Sequence, residues 1–94
     1  DVLLYGAGEV AETILGIVRD RETELKVIAV IDDDKEKQGE EILGYKIISI
    51  DEINKHPHHG IIITSYTFED VIMEKLKAIG YDMNKVIRFF WMGD

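Results

Sequence analysis

The sequence predicts a three-layer α/β fold, a parallel sheet of four to five strands with helices on both faces. Three observations carry this. Short runs rich in Ile and Val recur along the chain, and segments with apolar residues at helical spacing fall between them. The runs are nearly continuous rather than alternating, as strands are when both faces of a sheet are covered. Strand and helix then alternate in the order that builds a parallel sheet, and right-handed crossovers place the first strand centrally.

Taken in order, Val2, Leu3, Leu4 and Tyr5 form a buried strand that breaks at Gly6. From Glu9, the residues Val10, Ala11, Ile14, Leu15 and Val18 line one face of a helix that ends near Arg21. "KVIAVI" is the second strand, and the polar, turn-rich "DDDKEKQGEEILG" follows it. "YKIIS" is a brief strand. Ser49 then reads as an N-cap, with Glu52 completing a capping box for a short helix that the Pro57 segment closes. "IIITS" is another buried strand. Thr67 is placed to cap a helix with Phe68, Ile72, Leu76 and Ile79 on its buried face, and Gly80 stands at its C′ position. "KVIRFF" is the last strand.

Ninety-four residues suffice for one domain whose core must use most of its apolar side chains. The net charge of −8, from 19 acidic and 11 basic residues, argues against nucleic acid and anionic membrane surfaces as partners. It leaves room for an anionic cofactor, because backbone N–H groups at a helix start hold phosphate without a basic side chain. With no cysteine, disulfides, thiolate metal sites and a Cys nucleophile are excluded. Neither a membrane span nor a signal peptide is visible, so a cytoplasmic protein is expected. The chain opens inside an apolar run and closes on "RFFWMGD". A domain of a longer protein is therefore expected, with Phe89, Phe90 and Trp91 docking on a missing domain or a second copy, or else finishing the core.

The most specific signal is Gly6-Ala7-Gly8-Glu9-Val10-Ala11, which matches G-x-G-x-x-[G/A] between a strand and a helix. In a Rossmann-like domain the first glycine permits the tight turn and the second lets the backbone approach a pyrophosphate. The small residue at the position of Ala11 lets helix and strand pack closely. An acid at the end of the next strand is the second requirement, and Asp32 supplies it. Its carboxylate is suited to the ribose hydroxyls and repels a 2′-phosphate, which favours NAD over NADP. The competing view is that the glycines only shape a turn and Asp32 is a solvated strand end. Asp33 joins the candidates at the same strand end, though it and Asp34 also read as polar loop residues.

Thr64, Ser65 and Tyr66 are expected beside the glycine turn, where strand order reverses and ligands sit. They are candidates for contacts to phosphate or sugar; equally, Ser65 and Thr67 would only cap the next helix. "HPHH", with His56, His58 and His59, invites a metal reading, but nothing converges on it. "DDDKEK" lacks the spacing of a calcium loop. No nucleophile–base pair is apparent, and no Tyr-x-x-x-Lys pair of the kind short-chain oxidoreductases use is expected in the chain.

With "VIAVIDDDKEKQGEEILGYKII" added to the glycine turn and "IIITS", the chain resembles the N-terminal module of CapD-like nucleotide-sugar epimerase/dehydratases. Related modules occur in PglD-type acyltransferases, FkbM-type methyltransferases and, more distantly, redox-sensing repressors. The proline usual after the aspartates is missing here, and the Gly-Ala-Gly turn is tighter than the acyltransferase modules show. The resemblance implies a nucleotide- or nucleotide-sugar-binding module with Gly6, Gly8 and Asp32 in the matching positions, itself without catalysis. NAD is the expected ligand, with a nucleotide-sugar or CoA as alternatives; CoA wants cations for its 3′-phosphate, and Lys35 is the nearest expected. A ligand-sensing module and a structural dimerisation domain are the readings from other classes.

Overall fold

A computed structural model describes residues 1–21 and 24–88. Six strands form one sheet in the order β3-β4-β2-β1-β5-β6. They are β1 (Val2–Tyr5), β2 (Val27–Ile31), β3 (Glu41–Ile42), β4 (Tyr45–Ile48), β5 (Gly60–Ile63) and β6 (Val86–Arg88). Two α-helices, α1 (Glu9–Arg21) and α2 (Glu69–Ala78), and two 3-10 helices, Ile50–Lys55 and Met83–Lys85, connect them. All pairings are parallel except β3 with β4. The Rossmann-like expectation holds, with β1 at the centre.

The strand count differs from the expected four to five. The extra strand, β3, forms a hairpin with β4 through Leu43 and Gly44, both at positive φ (49° and 84°). Two successive positive φ values are what a tight hairpin turn needs, and Asn-Gly is their usual sequence sign. A leucine in the first position hides the hairpin. The C-terminal strand is described over Val86–Arg88, and the aromatic segment from Phe89 onward lies outside the described residues.

Two cores follow from the alternation of side chains along the strands. Leu4, Val30 and Ile62 point to the face covered by α1, where Ala11 and Leu15 are fully buried. Leu3, Tyr5, Ile31 and Ile63 point to the other face, covered by Ile53 of the first 3-10 helix and by Ile72 and Leu76 of α2. Ala11 thus does what its size suggested: with no bulk at this position, α1 lies close on the sheet beside the glycine turn.

The second helical layer departs from expectation in its details. The segment after Ser49 is a 3-10 helix, and Glu52 Oε2 accepts the Ser49 N–H at 3.1 Å as the capping box requires. In α2, Thr67 does not cap: the helix starts at Glu69, and Ser65 Oγ accepts the Phe68 N–H at 3.2 Å instead. Phe68 and Ile79, expected on the buried face, are 60% and 51% exposed, because they flank a helix of only ten residues. Gly80 stands at C′ with φ +77°, and the Tyr81 N–H returns to the Leu76 carbonyl at 3.0 Å. Glu69 Oε1 accepts from Arg88 Nε and Nη2 (2.9 and 2.6 Å), which ties the start of α2 to β6.

Candidate functional site

The ladder of the sheet runs one residue past the C-terminal ends of the central strands. Gly6 N–H donates to Ile31 O at 2.7 Å, Asp32 N–H to Ile48 O at 3.0 Å and Thr64 N–H to Tyr5 O at 2.9 Å. Gly6, Asp32 and Thr64 are therefore held side by side at the edge where β1 meets β2 on one flank and β5 on the other. The chain turns into α1 there, and the first N–H groups of a helix have no acceptors within it.

Gly6 is a glycine for the fold. Its φ is +122°, and a Cβ would stand 3.0 Å from Ser65 Cβ and 3.1 Å from Ser65 N. Gly8 differs: its φ lies outside the left-handed region and a Cβ would meet nothing within 4 Å. Nothing in the protein itself calls for a glycine at Gly8, whereas a ligand approaching the backbone would.

A cleft of about 390 Å³ opens over this turn, lined by Gly6, Ala7, Gly8, Glu9, Val10 and Asp32, with Thr64, Ser65 and Tyr66 opposite. Asp32 is the keystone of its floor. Oδ2 accepts the Ala7 N–H at 2.8 Å and Oδ1 accepts the Asp34 N–H at 2.8 Å, so one carboxylate sets both the glycine turn and its own loop. Each oxygen keeps a second lone pair for a ligand hydroxyl.

The other candidates fall into distinct positions. Thr64 is buried, and its hydroxyl faces the carbonyls of Gly6 (2.7 Å) and Tyr5 (3.1 Å). It holds the turn in place. Thr64→Val is expected to cost about 1–2 kcal/mol in urea unfolding, because the Gly6 carbonyl loses its donor. Ser65 stands at the rim and starts the turn into α2, and Tyr66 is 77% exposed at the mouth of the cleft.

Asp33 faces an adjoining cleft of about 460 Å³, walled by Phe68, Val71 and Ile72. Its Oδ1 accepts the Tyr5 hydroxyl at 2.7 Å and its Oδ2 pairs with Lys75 Nζ at 2.8 Å. Burial, then the hydrogen bond to Asp33 and the negative charges nearby, push the Tyr5 phenol far above its ordinary value, so it stays protonated and donating. The two clefts share Gly6, Asp32, Asp34, Ser65 and Phe68 and form one continuous crevice.

The lining also includes residues that the sequence did not offer as ligands, Lys37, Lys75 and Phe68 among them. Lys35, expected as the nearest cation, lines neither cleft.

Other motifs lie elsewhere. His58 stacks on Tyr81 (ring centroids 5.8 Å apart) and its Nε2 lies 2.9 Å from the Tyr81 hydroxyl. Among the described residues, no group of three or more His, Asp or Glu is arranged to hold a metal. Tyr81 and Lys85 do have the Tyr-x-x-x-Lys spacing, but they line a separate cleft with His58, where β5 and β6 begin. Burial and then Asp82 raise the Tyr81 phenol, the wrong direction for a group that must give up its proton. No helix among the described residues is long and apolar enough to cross a membrane.

Fold and site together define a Rossmann-like domain with a glycine turn and a strand-end acid at the point where strand order reverses. The chain belongs to the C2185-like family, whose N-terminal model matches residues 1–87. It is also similar to the crystal structure of UDP-D-quinovosamine 4-dehydrogenase from Vibrio fischeri. The TM-score is 0.70 and the identity 28%, over 90% of this chain and 73% of that one. No curated protein matches the sequence.

Proposed function

We propose that this domain binds a nucleotide with a diphosphate bridge, NAD first, as the non-catalytic N-terminal module of an enzyme acting on nucleotide-sugars. The observation that carries the reading is Gly8, a glycine that no backbone angle or neighbouring atom demands, set at the mouth of a cleft on the first turn of α1. The pyrophosphate lies over the N–H groups of Gly8, Glu9 and Val10. One ribose sets its hydroxyls on the spare lone pairs of Asp32, and the attached base enters the apolar cleft beside Phe68 and Val71. The Vibrio dehydrogenase, which the chain resembles in structure, supports the nucleotide-sugar context. That same dehydrogenase favours a second ligand, a UDP-sugar, which would use the same diphosphate cradle.

Calorimetric titration with NAD, NADP and a UDP-sugar tests this. Wild type is expected to bind NAD at least tenfold more tightly than NADP. Asp32→Ala is expected to weaken NAD about tenfold or more and to remove the preference, since both the ribose acceptor and the charge opposing the 2′-phosphate are lost. A folded protein that takes up none of the three ligands contradicts the reading.

A further inference from the structure

We infer that Lys37 is a phosphate-contacting residue, the cation that completes the diphosphate cradle. This rests on the nucleotide-binding reading above and extends it to a side chain that the glycine fingerprint does not include.

The loop after β2 is a built turn. Asp34 O accepts the N–H groups of Lys37 (3.0 Å) and Gln38 (3.2 Å), and Asp34 Oδ1 accepts that of Glu36 at 2.9 Å. Gln38 Nε2 closes the turn on Asp32 O at 2.9 Å, and the Gly39 N–H anchors it to Ile47 O of β4 at 2.9 Å. The backbone at Lys37 is thereby fixed relative to the glycine turn, and its side chain reaches back across the cleft.

Lys37 Nζ lies 3.3 Å from the Ala7 carbonyl and lines the cleft over the turn. The contact is long and its acceptor is neutral. Among the described residues, no carboxylate lies within ion-pair distance of this ammonium, whereas Lys75 in the adjoining cleft is paired with Asp33 at 2.8 Å. The location is also electrostatically costly. The N-terminus of α1 carries the positive end of the helix dipole, where anions are stabilised and cations are not. Glu9, Asp32 and Asp34 line the same cleft, but none of them pairs with this ammonium, which leaves Nζ available to an anion that arrives over the helix start. Asp32 accepts the Ala7 N–H at 2.8 Å, so both polar backbone groups of Ala7, one in each of its flanking peptides, are engaged by residues of this loop. A diphosphate arriving over Gly8 offers Nζ a charged oxygen in place of the carbonyl, and charge-assisted hydrogen bonds are roughly twice as strong as neutral ones.

The test compares wild type, Lys37→Met and Lys37→Arg by titration at several salt concentrations. The probes are NAD and UDP-glucose, with thermal unfolding of each variant alongside. Lys37→Met is expected to bind whichever nucleotide the wild type binds about tenfold more weakly, with a shallower dependence of affinity on salt. Lys37→Arg is expected to keep most of the affinity and the steeper slope. If Lys37→Met binds as wild type does, or loses affinity with an unchanged salt slope and a lowered melting temperature, Lys37 only supports the turn and the inference is overturned. A wild type that binds neither nucleotide overturns the nucleotide reading itself, and this inference with it.

Discussion

Gly8→Val is expected to abolish nucleotide binding, by more than a hundredfold, while unfolding within about 1 kcal/mol of wild type. The two halves of this result have separate causes. The fold tolerates the side chain because a Cβ at Gly8 meets no atom within 4 Å, and its φ does not exclude L residues. The small cost expected reflects only the poorer start that valine makes for a helix. Binding does not tolerate it, because the isopropyl group occupies the volume over the first turn of α1 where a phosphate must approach the backbone. Urea unfolding and calorimetry on the same preparation check both halves. A variant that binds normally would show that the glycine serves the turn alone.

Gly6→Ala should give the opposite pattern, a loss of about 3 kcal/mol of stability. Its backbone sits at φ +122°, which L residues rarely adopt, and the added methyl would press on Ser65 Cβ at 3.0 Å, Ser65 N at 3.1 Å and Thr64 Oγ1 at 3.2 Å. Two of these three atoms belong to the segment that closes the crevice, and one is backbone, so relief requires β1 and β5 to part at their C-terminal ends. For a domain of this size, 3 kcal/mol is a large share of a total that is typically 5–15 kcal/mol. Denaturant midpoints with an unchanged slope measure it. A change below about 1 kcal/mol would mean the turn relaxes freely, and Thr64 and Ser65 do not brace it.

The contrast between these glycines shows what was legible in the sequence. Strands β1, β2 and β5 are built mainly of Ile, Val and Leu and are almost wholly buried, which makes them legible, and the strand–turn–helix order around Gly6 and Gly8 marked the turn that lines the candidate cleft. The separate duties of the two glycines were not, because φ and neighbouring atoms are properties of the folded chain. Strand β3 was hidden by Leu43 at a position where glycine or asparagine is the usual sign. Of the two residues offered as caps for α2, Ser65 takes the Phe68 N–H and Thr67 does not. Lys37 and Lys75 could not be picked out, since a lysine's role depends on which carboxylate the fold sets beside it. Asp33 satisfies one of them and leaves the other on a carbonyl.

Chemical-shift mapping of backbone amides during titration with NAD addresses the central claim most directly, because it reports where as well as whether a ligand binds. The account predicts saturable shifts concentrated at Gly8, Glu9 and Val10, at Asp32 to Lys37, and at Ser65 to Phe68, with the cleft around His58 and Tyr81 unmoved. Saturable shifts centred on that second cleft, or no shifts from a folded protein with NAD or a UDP-sugar, would contradict it.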